Sequence, residues 1–185
     1  MKIYRPKTRL LKFVSNETKL SHDEMNYRID CIEQRSYSDT LLCSGSDVVD
    51  LINNSEGDNI KSKFVNVIKN KITDISPDDI SSINYLGKDK KTLKVTCTTE
   101  IIKKRIISKG KQSKVTNFYV SEFLTHYRHK LFFEARQIKR KYNFNDIFIY
   151  TRYGDIFYKI KDQTSFFKIA RQSDLVKLER LAVVQ

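Results

Sequence analysis

Glycine is scarce in this 185-residue chain, with five in all. A loop that cradles phosphate concentrates glycines in a short stretch, and neither a Walker loop nor a GxSxG elbow occurs. HExxH and paired CxxC motifs are missing as well. The three histidines, His22, His126 and His129, lack metal-ligand spacing with each other or with cysteine. Three cysteines, Cys31, Cys43 and Cys97, are odd in number and far apart. That speaks for reduced thiols in a cytosolic or nuclear compartment, not for a disulfide framework. No apolar run approaches the roughly 18–20 residues of a membrane span. The start, MKIYRPKTRLLKFV, has no apolar core of the roughly 7–15 residues a secretory signal needs. The expectation is therefore no enzyme, no catalytic or metal-binding residue, no cofactor and no transmembrane segment.

Positive charge is abundant, and its placement is uneven. The net charge is +13. Residues 1–20 carry six Lys/Arg against Glu17, residues 21–110 carry fourteen of each sign, and residues 111–171 carry thirteen basic against five acidic. The excess lies in an N-terminal arm and one C-terminal block. Such asymmetry points to a polyanion, nucleic acid before membrane.

Residues 1–20 read as a basic arm. Ser21 and Glu24 have capping-box spacing and open a helix over residues 21–38, with Met25, Ile29 and Ile32 as an apolar stripe. Two readings of that helix stay open: the end of a coiled coil that makes a homo-oligomer, or a helix packed on its own domain. Over residues 39–121 the pattern predicts a strand at Thr40–Gly45, a loop past Asn53 and Gly57, and a helix near Asp58–Thr73. Strands at Ile80–Leu86 and Thr92–Cys97 follow, then a helix at Glu100–Lys109 stopped by Gly110 and a strand at Asn117–Val120. The order β-α-β-β-α-β is that of RRM-like domains. Such domains stack bases on aromatics of their central strands. TLLCSG and TLKVTC carry none.

Residues 122–185 read as a small basic α+β domain of helix, hairpin, third strand and terminal helix, which makes the whole chain α+β. At 100° per residue, Leu131, Ala135, Ile138 and Tyr142 line one face of a helix over 127–142. Arg128, His129, Arg136, Lys139 and Arg140 spread beside that line with Phe132 and Phe133 among them. Lys130 and Lys141 share the helix, and Glu134 is its only acid. This is the composition of a phosphate-facing surface. Strands at Ile147–Tyr150 and Ile156–Ile160 flank a turn, Thr151–Asp155, with Arg152 at its tip. Tyr150, Tyr153 and Tyr158 are the candidate stacking residues.

Several segments carry a resemblance. Glu33-Gln34-Arg35-Ser36-Tyr37 leading into Leu41-Leu42-Cys43-Ser44-Gly45 resembles the pattern E-x-Y-S-R-R-N-N-L-x-I-x-G. NFYVSEFLTHYRHKLFFEARQIKRKYNFNDIFIYTRYGDIFYK resembles strand, E-x-L-T, Leu-Phe, Ala-Arg, a basic helix end and a T-R-x-G-x-I-F-x-R/K hairpin. Together, over roughly residues 25–175, these are similar to the baculovirus few-polyhedra (FP) protein family, related to the open-reading-frame-one proteins of LINE-type retrotransposons. The resemblance implies a coiled coil, an RRM-like domain and a small C-terminal domain that bind single-stranded nucleic acid, RNA favoured. It also implies action in occlusion-body and virion formation, with viral structural or envelope proteins as further partners. The implied setting is the host cytoplasm or nucleus, with association to the virion. By position it assigns nucleic-acid contact to Arg35, Arg128, Lys130, Arg136, Arg152 and Lys159. The chain departs from the pattern at Arg35–Asp39, where the paired basic residues and the Asn pair are absent.

Overall fold

The computed structural model describes residues 22–54, 60–89, 91–113 and 117–183. The basic arm expected over residues 1–20 lies outside them. The described residues form a mixed α+β chain with six α-helices and two antiparallel sheets. None of those helices is long and apolar enough to cross a membrane. Two compact units divide the chain. One comprises Gln34–Leu124 with Thr151–Gly154. The other comprises Thr125–Tyr150, Asp155 onward, and the described residues ahead of Gln34.

Helix α1 covers residues 22–35. In the first unit, β1 (Thr40–Ser44) is followed by α2 (Ser46–Asn53), α3 (Ile60–Lys71), β2 (Ile80–Leu86), β3 (Thr92–Cys97), α4 (Glu100–Gln112) and β4 (Tyr119–Glu122). The sheet order is β2-β3-β1-β4, and each neighbouring pair is antiparallel. Strand alternation separates the two faces. Leu93, Val95 and Cys97 are buried with Leu41 and Cys43, and Phe64, Val65 and Ile68 of α3 and Ile102, Ile106 and Ile107 of α4 join the same core. Leu42, Lys94 and Ser121 meet in register on the other face. The Lys94 ammonium lies 4.6 Å from the ring centres of both Tyr37 and Phe123.

The main differences from the sequence reading in this unit are a helix and two element ends. The expected loop after Gly45 is partly helix, because Val48 and Leu51 sit three residues apart and both reach the core. Gly110 does not stop α4; the helix runs to Gln112, and Ser113 N–H bonds Lys109 O at 2.9 Å. The last strand is Tyr119–Glu122, set by the pairs Cys43–Val120 and Leu41–Glu122. Gly45 is required where it stands. Its φ is +118°, and a Cβ there would lie 2.2 Å from Asn117 O.

In the second unit, Thr125 caps α5 (His126–Lys141), its hydroxyl accepting from Arg128 N–H at 3.2 Å. Asn143, at φ 49°, ends the helix, and Phe144 N–H bonds Lys139 O at 2.9 Å. Strands β5 (Ile147–Arg152) and β6 (Asp155–Ile160) are joined by Tyr153-Gly154. Both turn residues have positive φ, 56° and 78°, so the expected five-residue tip contracts to a two-residue turn. β7 (Phe166–Ile169) pairs antiparallel with β6, and α6 (Gln172–Val183) closes the unit. Leu131 and Ala135 of α5 pack with Ile147, Ile156, Tyr158, Ile169, Leu175 and Leu178. Each fully buried aliphatic chain contributes about 1.5–3 kcal/mol, so this unit has a core of its own.

Helix α1 is apolar on the wrong side for a helix packed by its own hydrophobic face. Asp30 is buried and Tyr27 and Cys31 are half-buried, whereas Met25, Ile29 and Ile32 are 57%, 56% and 71% exposed.

Candidate nucleic-acid interface

The helix α5 places its cations by spacing alone. Arg136 and Arg140, one turn apart, are exposed, with His129 exposed on the same flank. The Arg136 guanidinium lies 5.5 Å from the Phe132 ring centre. Lys139 is half-buried; its ammonium donates to Ile147 O at 2.6 Å and stands 5.9 Å from the Phe148 ring centre. Lys130 is exposed on another side, 4.0 Å from Glu134. Lys141 is exposed and bound to Glu179 at 2.9 Å; hydrogen bonds with Tyr142 and Glu179 hold its ammonium up to about 12.

Two expected contacts are built into the interior instead. Arg128 is 8% exposed. Its Nε donates to Asp30 Oδ2 and its Nη1 to Asp155 Oδ1, both at 2.7 Å, and Nη2 lies 3.7 Å from Cys31 Sγ. Burial works against the charge of Arg128, but the hydrogen bond and charge of Asp30, with Asp155 behind, outweigh it and raise the pKa. Thr125 Oγ1 donates to the other oxygen of Asp30. The guanidinium thus ties α1 to α5 and β6, and it is not a phosphate contact. Tyr158 is 5% exposed, stacked on Phe167 at 5.1 Å, and belongs to the core, not to a stacking surface. Alternation explains it: Ile156 and Tyr158 share the inward side of β6.

The remaining expected residues divide between the units. Lys159 and Tyr150, both half-buried, are on the sheet of the second unit. Arg35, Arg152 and Tyr153, all exposed, belong to the first. There the Tyr153 ring lies 5.0 Å from the Arg152 guanidinium and 4.8 Å from the Lys104 ammonium. The Arg152 hydrogen bond, helped by both charges, lowers the pKa of the Tyr153 phenol. Gly154 N–H donates to the buried Glu122 carboxylate at 2.8 Å and fixes the turn.

Sequence reasoning reached Tyr150 and Lys159 on the outer face of the β5–β6–β7 sheet but passed over Lys104 and, on that face, Phe148, Phe166 and Lys168. Phe148, Tyr150, Phe157 and Phe166 stand there, opposite in alternation to Ile147, Ile156 and Tyr158. The Tyr150 and Phe157 rings stack at 5.9 Å, and Phe157 meets Phe166 edge-on at 5.5 Å. Across β6 and β7, Phe157 pairs with Lys168 and Lys159 with Phe166. The period-two pattern of IFIY, DIFYK and FFKI carries this signal, once Ile147 and Ile156 are assigned to the core.

Among the described residues no group of three or more His, Cys, Asp or Glu side chains could hold a metal ion. The free thiols Cys43 and Cys97 are buried in β1 and β3. Burial pushes both up, Cys97 to about 12, so neither is an available thiolate at neutral pH.

No family model matches the chain, and no curated protein does.

Proposed function

We propose that this protein is a non-enzymatic, sequence-tolerant binder of single-stranded nucleic acid, RNA before DNA. The observation that carries the reading is the α5 flank, where Arg136, Lys139, Arg140 and His129 run beside Phe132 and Phe133 with no acid in the band. Cations in that density neutralise phosphates and release counterions. The first unit supports an RRM-like reading through its β2-β3-β1-β4 antiparallel order, with helices on one face. Its central strands offer no aromatic, so base contact is assigned to the second unit. In line with the few-polyhedra resemblance, the protein would act in occlusion-body and virion formation, in the host cytoplasm or nucleus or with the virion.

A second reading is an assembly factor that contacts viral structural or envelope proteins without nucleic acid. The outward apolar stripe of α1, Met25, Ile29 and Ile32, favours it; the same stripe also suits a homo-oligomer.

The test is affinity for mixed-sequence single-stranded RNA across salt concentrations. Binding is expected to weaken steeply with salt. Arg136→Gln with Arg140→Gln removes two phosphate contacts and lowers the slope of log K against log salt by about 1.4, at about 0.7 per contact on a single strand. No affinity at low salt, or affinity indifferent to salt, overturns the reading. Partners that survive nuclease treatment in a pull-down would then favour the assembly factor.

A further inference from the structure

We infer that the outer face of the β5–β6–β7 sheet is a stacking platform for unpaired nucleobases, which meets the charged flank of α5 only at Lys139. This rests on the reading of the protein as a nucleic-acid binder and adds which part of the ligand it recognises. Phe148 and Phe166 are 54% and 57% exposed, and neither joins the core. Isolated exposed aromatics are ordinary, but here the rings touch in sequence: Tyr150 on Phe157, and Phe157 on Phe166. The patch is not plain apolar surface either. Lys168 stands opposite Phe157, Lys159 opposite Phe166, and the Lys139 ammonium lies near the Phe148 ring. Lys168 also binds Asp155, at 2.6 Å, the carboxylate that holds Arg128 through its other oxygen. Asp155 is the acid at this edge.

Rings alternating with ammonium groups match a ligand that alternates flat apolar faces with anions. A single strand is such a ligand, each base bringing a π-face and each linkage a phosphate. A duplex buries its base faces in its own stack, so this surface would refuse it. A protein partner of purely aliphatic surface would leave the lysines with nothing to neutralise. Because every base has a π-face, the platform is tolerant of sequence.

The chain has no tryptophan, so Phe166→Trp in the full chain places a single, selectively excitable tryptophan on the platform. Mixed-sequence single-stranded RNA is expected to quench it. An abasic ribose-phosphate strand of equal length is expected to bind through charge without quenching, and more weakly. Phe148→Ala in the same background lowers affinity for the base-bearing strand roughly tenfold and leaves the abasic strand unchanged. If both strands bind equally and neither quenches, the platform is wrong while the charged flank stands. If neither strand binds, the functional reading falls and the platform with it. Quenching that follows protein concentration without RNA makes this face a self-association surface and overturns the platform.

Discussion

A guanidinium taken out of water needs carboxylates with good geometry. Arg128 has that: two acids at 2.7 Å on separate nitrogens, with Thr125 binding the far oxygen of Asp30. Replacing such a group with apolar residues is often harmless, whereas removing one partner strands a buried charge and costs about 3–5 kcal/mol. Asp30→Ala is therefore expected to destabilise the protein by about 3 kcal/mol, the low end of that range, because Asp155 keeps Nη1. Denaturant unfolding measures it. Asp30→Ala combined with Arg128→Met should recover most of the loss. Equal losses in the single and double variants would show that the pair does not act as a unit. Composition alone could not separate Arg128 from Arg136, since both are arginines on one helix. Helical position separates them, since Arg128 shares the buried side of α5 with Leu131 and Ala135; what no local pattern shows is the acid that pairs with it, Asp30, 98 residues earlier in the chain.

At the scale of elements, two strands were legible: β3 alternates strictly between core and outer face, and β2, though largely exposed, falls where its Ile and Tyr residues and flanking turns put it. α5 was legible too, from the Leu131–Ala135–Ile138–Tyr142 line. α2 was not, because eight residues with two buried side chains make too short a periodic signal against the Ser and Asn around them. Gly110 misled for the opposite reason, a helix breaker outvoted by tertiary packing near Ile72 and Val120. The hairpin shows which glycine is decisive. Gly154, at φ 78°, would place a Cβ 2.8 Å from Gln34 Nε2 and 3.0 Å from its Cγ, while Gln34 Nε2 itself donates to Phe123 O at 2.9 Å. Gly154→Ala thus combines backbone strain with displacement of a buried side chain. It is expected to cost more than about 1 kcal/mol. Gly110→Ala, whose added carbon meets Ile72 and Val120 at 3.7–3.8 Å, is expected to stabilise α4 by about 0.5–1 kcal/mol. Thermal melts of the two variants side by side decide it; a Gly154→Ala protein as stable as wild type would mean the turn tolerates a side chain.

For the molecule as a whole, α1 decides whether the chain works alone. Its polar side is buried, with Asp30 inside, and its apolar side faces outward. Met25, Ile29 and Ile32 follow the i, i+4, i+7 spacing of one helix face, the seam by which helices pair. Two turns bury little area, so association should be weak and depend on concentration. Sedimentation equilibrium of the full chain is expected to show mass rising with protein concentration across the micromolar range. Ile29→Glu puts a charge in the seam and should return a monomer at every concentration. The melting temperature of the monomer should hardly move, since Ile29 is more than half exposed and outside the core. RNA affinity per chain should persist in that variant but lose the gain that several linked sites provide on a long strand. A wild-type protein that stays strictly monomeric at tens of micromolar would remove the oligomer, and the apolar face of α1 would then be left to a different protein partner.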